Sequence, residues 1–263
     1  MILLFCALPA LAYAIGPWKD TCGVEIPCPL GDRGYHVLPP DDWDGESALP
    51  VLLHFHGWKR QGDLVVRHSR IASATRKRGV LLVAPNGLNR SWNFWTDRTE
   101  DVEFATQVLE AVARAFPVDV ERIYVSGYSF GGAMAWRYVC QTGDDVAALL
   151  AISGSINQGE TCPEAPREAR HVHGLADTVM DFPFGPGGDT TYPVQLWRNA
   201  YGCDVSEMEG AWQARDFLTF DRTVWHCQGG RVVLDTHPSG HFIPRGWIAR
   251  QLDELLGLPP SYP

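Results

Sequence analysis

The chain has 263 residues, 45% of them hydrophobic and 11% aromatic, enough to bury a real core in one large α/β domain or two small ones. The formal net charge of −9 argues against nucleic acid as a partner. The one basic run, Arg76-Lys77-Arg78, reads as a solvated helix end.

The N-terminal residues Met1 to Ala14 form a short apolar run that closes on Ala12-Tyr13-Ala14, an A-x-A-like cleavage signature. The run is too short to span a bilayer, and it lacks the basic residue that normally precedes such a segment. The reading taken is a signal peptide over 1–14 and a single domain over 15–263, secreted or periplasmic, with no membrane partner. The alternative is a buried N-terminal strand. After Cys6, the six cysteines Cys22, Cys28, Cys140, Cys162, Cys203 and Cys227 are an even set suited to an oxidising compartment. Their pairing is open from sequence. Pairing neighbours along the chain gives Cys22–Cys28, Cys140–Cys162 and Cys203–Cys227, each closing a short loop. No C-x-x-C spacing occurs, so no zinc site is expected.

Tyr35 to Leu38 is a candidate first strand, followed by a turn-rich connection through Pro39 and Pro40. Val51 to His56 is an apolar-rich run of the kind buried on both faces of a sheet, and it stops at Gly57-Trp58. Ser69 to Arg78 suits a helix ended by Gly79, and Val80 to Ala84 the next buried strand. Ser91-Trp-Asn-Phe-Trp95 is an aromatic loop. Glu100, Asp101 and Glu103 then open a helix at its favourable dipole end, and Val102, Ala105, Leu109, Val112 and Phe116 recur at helical spacing before Pro117. Ile123 to Val125 end a strand, and Ala133 to Cys140 suit a helix. Val146 to Ile152 and Ala169 to His173 are further strands, separated by a Gly- and Pro-rich loop at Phe182 to Gly188 from a helix over Pro193 to Tyr201. Arg231 to Thr236 is the last strand and Trp247 to Leu256 the last helix. The alternation of strands and helices predicts one mostly parallel sheet covered on both faces, an α/β fold.

Between the strand at Val125 and the helix at Ala133 stands Gly127-Tyr128-Ser129-Phe130-Gly131, the G-x-S-x-G pattern of a nucleophile elbow. Strand, tight turn and helix are the context this pattern requires. A serine hydroxyl needs a base to take its proton, and the base needs an orienting acid. In this architecture they follow in the order Ser, Asp/Glu, His on loops after later strands. Asp177 and His241 hold those positions, so Ser129 is read as nucleophile, His241 as base and then acid, and Asp177 as orienter. Asp181 and His237 are the rivals for the last two places, while Asp235 lies inside a strand and reads as structural. The backbone amides of Phe130 and Trp58 are the expected oxyanion donors. His54 with His56, and His171 with His173, share strand faces, but no third ligand completes a metal site and none is expected. Trp92, Trp95 and Trp247 are candidates for a substrate pocket, the alternative being core packing. No cofactor is called for, and the oligomeric state is open. An imidazole base must be neutral to act, so activity should fall on acidification.

With these residues assembled, the chain resembles the secreted esterases grouped as polyhydroxybutyrate depolymerase and feruloyl or acetylxylan esterase-like proteins of the α/β-hydrolase superfamily. The resemblance runs from about Val51 to His241. It is carried by Leu53-His-Phe-His-Gly-Trp58, Trp92-Asn93, the acidic helix start before Phe104, and Val125 to Met134. His173-Gly-x-x-Asp177, Trp197 to Cys203 and Gly240-His241 complete it. The family pattern places its triad on Ser129, Asp177 and His241 and its oxyanion loop on Trp58. Two positions depart from it. Trp58 stands where the family often has Cys or Ser, and Phe130 where it often has Asn. The length leaves no room for a polymer-binding module, so insoluble polyester is not an expected substrate. The resemblance implies a serine esterase working through an acyl-enzyme on a small-molecule or oligomeric ester. A hydroxyalkanoate oligomer is the leading substrate, and a feruloyl or acetylxylan ester of plant polysaccharide the alternative. A serine peptidase and a catalytically inactive binding protein are the remaining readings.

Overall fold

The structure is a computed structural model that describes residues 22–157, 159–180, 192–215 and 217–262. The expected signal peptide over 1–14, the rival acid Asp181 and the loop over 182–188 lie outside these residues.

Among the described residues ten strands form one sheet: β1 (Cys28–Leu30), β2 (Arg33–Leu38), β3 (Leu49–Phe55), β4 (Leu81–Pro85), β5 (Val118–Tyr128), β6 (Ala148–Ile152), β7 (Glu168–Gly174), β8 (Ser206–Arg215), β9 (Leu218–His226) and β10 (Arg231–His237). Their spatial order is β1-β2-β4-β3-β5-β6-β7-β10-β9-β8. The six central strands, β4 to β10 in that order, run parallel. Antiparallel pairs flank them on both sides. Among the described residues six α-helices cover the sheet: α1 (Gly62–Arg67), α2 (Ser69–Arg76), α3 (Glu100–Ala115), α4 (Phe130–Thr142), α5 (Tyr192–Tyr201) and α6 (Trp247–Leu255).

The apolar runs explain the two-sided burial. Every residue of β3, β4 and β6 is buried. Val51, Leu53 and Phe55 point into a core with residues of α3, α4 and α5. Leu52 points the other way, into a core with α1, α2 and α6. The helix α3 starts as its sequence requires: Thr99 caps it by accepting from the Val102 amide, and Glu100, Asp101 and Glu103 fill its first turn.

The chain moves from β3 to β4 on one side and then to β5 on the other. This reversal opens a crevice at the carboxyl ends of β3 and β5, where ligands bind in open α/β sheets. Residues 56–58 and Ser129 sit at those two strand ends.

β1, α1 and the β8–β9 hairpin are additions to the expected elements. The alternation is therefore broken between α5 and β10. The hairpin was obscured because its inward positions include a charge. Arg222 of β9 lies buried and pairs both oxygens of Asp235 at 2.8 Å. The Asp235 carboxylate also accepts from Trp212 Nε1 at 3.0 Å and Trp247 Nε1 at 2.7 Å. Glu254 bridges Arg222 to Arg170. A buried carboxylate paired and hydrogen-bonded on all sides is structural. Trp247 is fully buried in this network, which corrects its expected place in a substrate pocket. On the outer edge, β8 is mostly exposed and carries register shifts between Met208 and Gly210 and between Gln213 and Arg215. Disulfides join Cys22 to Cys28, Cys140 to Cys162 and Cys203 to Cys227.

Candidate active site

Ser129 sits between β5 and α4 with φ 58° and ψ −122°, a backbone conformation that L residues rarely adopt. Neighbouring backbone enforces it. The Ser129 amide donates to the Ile152 carbonyl at 3.0 Å, and the Ser129 carbonyl accepts from Ala133 at 2.9 Å. Gly131 allows the start of α4 to lie against β3; a methyl group there would be driven into the Phe55 carbonyl. Ser129 itself is 8% exposed, at the foot of the crevice.

The loops after β7 and β10 are bonded to each other. Leu175 donates to the His237 carbonyl at 2.8 Å and Ala176 to the Ser239 carbonyl at 3.2 Å. This brings Asp177 to His241, whose Nδ1 lies 2.6 Å from Asp177 Oδ2. The other carboxylate oxygen, Oδ1, accepts from the Val179 and Met180 amides at 2.9 Å each. Burial would raise the Asp177 pKa, but the hydrogen bonds from His241 and these two amides outweigh it and hold the carboxyl below its ordinary value. The acid is therefore ionised, and an Nδ1–H donated to it leaves His241 Nε2 as the basic nitrogen. Tyr128, the residue before Ser129, connects the elbow to this pair. Its ring lies 4.8 Å from the His241 ring, and its hydroxyl donates to the His241 carbonyl at 3.1 Å. Burial, then the Asp177 charge, raises the Tyr128 pKa to about 12, so the phenol keeps its proton.

The rival His237 is wholly buried between Phe220 and Phe242, away from the crevice. Burial, then nearby His173, lowers its pKa to about 4. His173 plays a different part. Its Nε2 lies 2.8 Å from the Met180 carbonyl and 3.4 Å from Asp177 Oδ2, and its Nδ1 lies 3.1 Å from His171 Nε2. It braces the Asp177 turn from behind. The pattern His173-Gly-x-x-Asp177 carried that signal in the sequence, and Tyr128, the variable residue of the elbow, carried none.

The loop after β3 is fixed by His56. Its Nδ1 donates to the Gly57 carbonyl at 2.8 Å and its Nε2 accepts from the Gly87 amide at 3.0 Å. Burial lowers its pKa to about 4, which keeps the ring neutral for this double role. Trp92 Nε1 donates to the His56 carbonyl at 2.8 Å, and its ring meets Phe55 edge-on. Trp92 is thus a buried buttress of the loop, not an open pocket wall. The amides of Trp58 and Phe130 donate to no backbone acceptor among the described residues. Trp58 and Phe130 themselves lie side by side, ring centroids 6.0 Å apart, and Trp95 stands 6.2 Å from Phe130. His54 bonds Ser126 Oγ at 3.0 Å. Among the described residues no group of three or more His, Cys, Asp or Glu is placed to hold a metal ion.

A probable feruloyl esterase C of Aspergillus niger is 28% identical over 234 residues, 83% of this chain and 84% of that protein. A feruloyl esterase D of Neurospora crassa is 25% identical over 206 residues, 70% of each. The chain is a carboxylic-ester hydrolase with the α/β-hydrolase fold. The esterase is similar in sequence to feruloyl esterases. A solved structure of an acetyl xylan esterase from Aspergillus awamori has the same fold, with a TM-score of 0.63 and 14% identity over 86% of this chain and 94% of that one. No family model matches the chain.

Proposed function

We propose that the esterase cleaves acyl groups from a polysaccharide ester through an acyl-enzyme on Ser129. The observation that supports this most is the 2.6 Å contact between His241 Nδ1 and Asp177 Oδ2, beside a serine in the strained elbow conformation. His241 Nε2 takes the hydroxyl proton as Ser129 Oγ attacks the ester carbonyl. The Phe130 and Trp58 amides receive the developing oxyanion, each such donor being worth about 3 kcal/mol of barrier. Collapse of the tetrahedral intermediate breaks the bond to the alcohol, which leaves with the proton from His241. Water then attacks the acyl-serine by the same route, releasing the acid and restoring Ser129.

Relatives named as feruloyl esterases support a ferulate ester, and one named as an acetylxylan esterase/xylanase supports an ester of a polysaccharide. A hydroxyalkanoate oligomer would use the same mechanism with a different alcohol. The test is a hydrolysis panel of methyl ferulate, acetylated xylan, a hydroxybutyrate oligomer and p-nitrophenyl acetate, each repeated with Ser129→Ala. We expect turnover of ferulate or acetylxylan above the oligomer, and a loss on the order of 10⁴-fold or more in Ser129→Ala with the fold retained. Near-normal activity in that variant would remove Ser129 from the mechanism. Preference for the oligomer would move the substrate to hydroxyalkanoates.

A further inference from the structure

Two tryptophans beside the elbow are exposed at a cost that folding does not explain. Trp58 is 55% and Trp95 56% exposed, and Phe130 lies between them. Large apolar rings grouped at the surface mark a binding site rather than a stray core residue. The group is held rigidly. One face of Trp95 packs on Phe94 at 4.3 Å, and Phe94 meets Phe130 edge-on at 5.2 Å. The segment carrying them is fastened to α4 at three points. Arg137, fully buried, donates from Nε to the Phe94 carbonyl at 3.0 Å and from a terminal nitrogen to Asp97 at 2.6 Å. Gln141 accepts from the Arg98 amide at 3.0 Å. Arg137 also binds Glu160, and the Cys140–Cys162 disulfide ties that segment to the same helix. The helix that begins beside the nucleophile thus also carries the aromatic surface, and the two are fixed in register.

We infer that Trp95, flanked by Phe130 and Trp58, forms a carbohydrate subsite, an open shelf where a pyranose ring from the alcohol half of the ester stacks on the Trp95 face that Phe94 leaves free. The openness decides the class of ligand. An aryl acyl group gains most in a closed apolar slot that removes both of its faces from water. A sugar ring offers an apolar C–H face to an aromatic surface and keeps its hydroxyl rim solvated, which matches rings that are half exposed. The sugar assignment rests on the proposed ester hydrolysis only for which half of the substrate lies there; the shelf itself stands on its own geometry.

The test is binding by the Ser129→Ala protein, measured as retardation in native gels containing unsubstituted xylan and as titration with xylohexaose. We expect retardation, a roughly tenfold loss of affinity in Ser129→Ala/Trp95→Ala, and retention in Ser129→Ala/Trp95→Tyr, which keeps a ring. Absence of binding, or equal binding with Trp95→Ala, would overturn the inference. Should Trp95→Ala not fold, oxidation of Ser129→Ala by N-bromosuccinimide, read by peptide mass, answers the same question. Xylohexaose should protect Trp95. Protection by methyl ferulate alone would assign the shelf to the acyl half and sink the proposal. Failure of p-nitrophenyl acetate hydrolysis by the wild-type protein would count against the Ser129 mechanism without touching this result.

Discussion

At the scale of single residues, Asp177 is where geometry makes the sharpest demand. Oδ1 accepts two backbone amides while Oδ2 faces His241 Nδ1. An asparagine could keep its oxygen on the two amides only by turning its NH₂ toward His241. The ring would then need Nδ1 as acceptor and Nε2 protonated, a tautomer unable to take a proton from Ser129. Asp177→Asn should therefore lower kcat by on the order of 10³- to 10⁴-fold with little change in thermal stability. Kinetics on p-nitrophenyl acetate beside a melting curve check this, and a loss of less than tenfold would remove Asp177 from the orienting role. Ser129, Asp177 and His241 are legible as candidates because each lies in a short local pattern at a strand end. The tryptophans were not, because a sequence does not say which side of the sheet a large ring faces. Of the three tryptophans offered for a pocket, Trp247 lies in the core with Asp235, Trp92 behind the loop after β3, and only Trp95 at the surface.

At the scale of elements, the site depends on how closely α4 approaches β3. Gly131 faces the Phe55 and His56 carbonyls, and any side chain there must push the helix away. Gly131→Ala should destabilise the protein by about 2–3 kcal/mol in a urea titration and displace the Phe130 amide, lowering kcat more than it raises KM. Unchanged stability would mean that the helix start has room the packing denies. The parallel strands were readable because a strand buried on both faces is a continuous apolar run. The β8–β9 hairpin was not read. Yet Leu218, Phe220 and Val224 alternate along β9, all buried, and Arg222 continues the inward row as a charge. A period-2 reading that admits one paired arginine would have found it.

At the scale of the whole molecule, buried histidines set a limit on acid stability. Burial, ahead of neighbouring charges, lowers His54 to about 3 and His56 and His237 to about 4, each from 6.5. Their folded pKa values lie below their unfolded ones, so the unfolded chain binds more protons as the pH falls. Stability is intact above about 6.5 and should decline as the pH drops toward 4. Melting temperatures measured across that range at fixed ionic strength should fall steadily. A flat profile would contradict the neutral, buried state of these rings. Glu254 acts later. Burial opposes its ionisation, but Arg222 and Arg170 hold it down at about 2 from 4.5, so its share of stability is lost only as the pH falls below 4.5 toward 2. The overall architecture was legible because alternating strands and helices of this length leave few other ways to pack.

The two ends of the sheet have a bearing on how copies of the chain meet. One end is β1, three residues long and stapled by Cys22–Cys28. The other is β8, whose two register shifts bend it and whose exposed face carries Glu207 and Glu209. Neither offers the straight, neutral row of amides that a guest strand needs to dock. Copies of this enzyme at high concentration can thus stand shoulder to shoulder without knitting into fibrils.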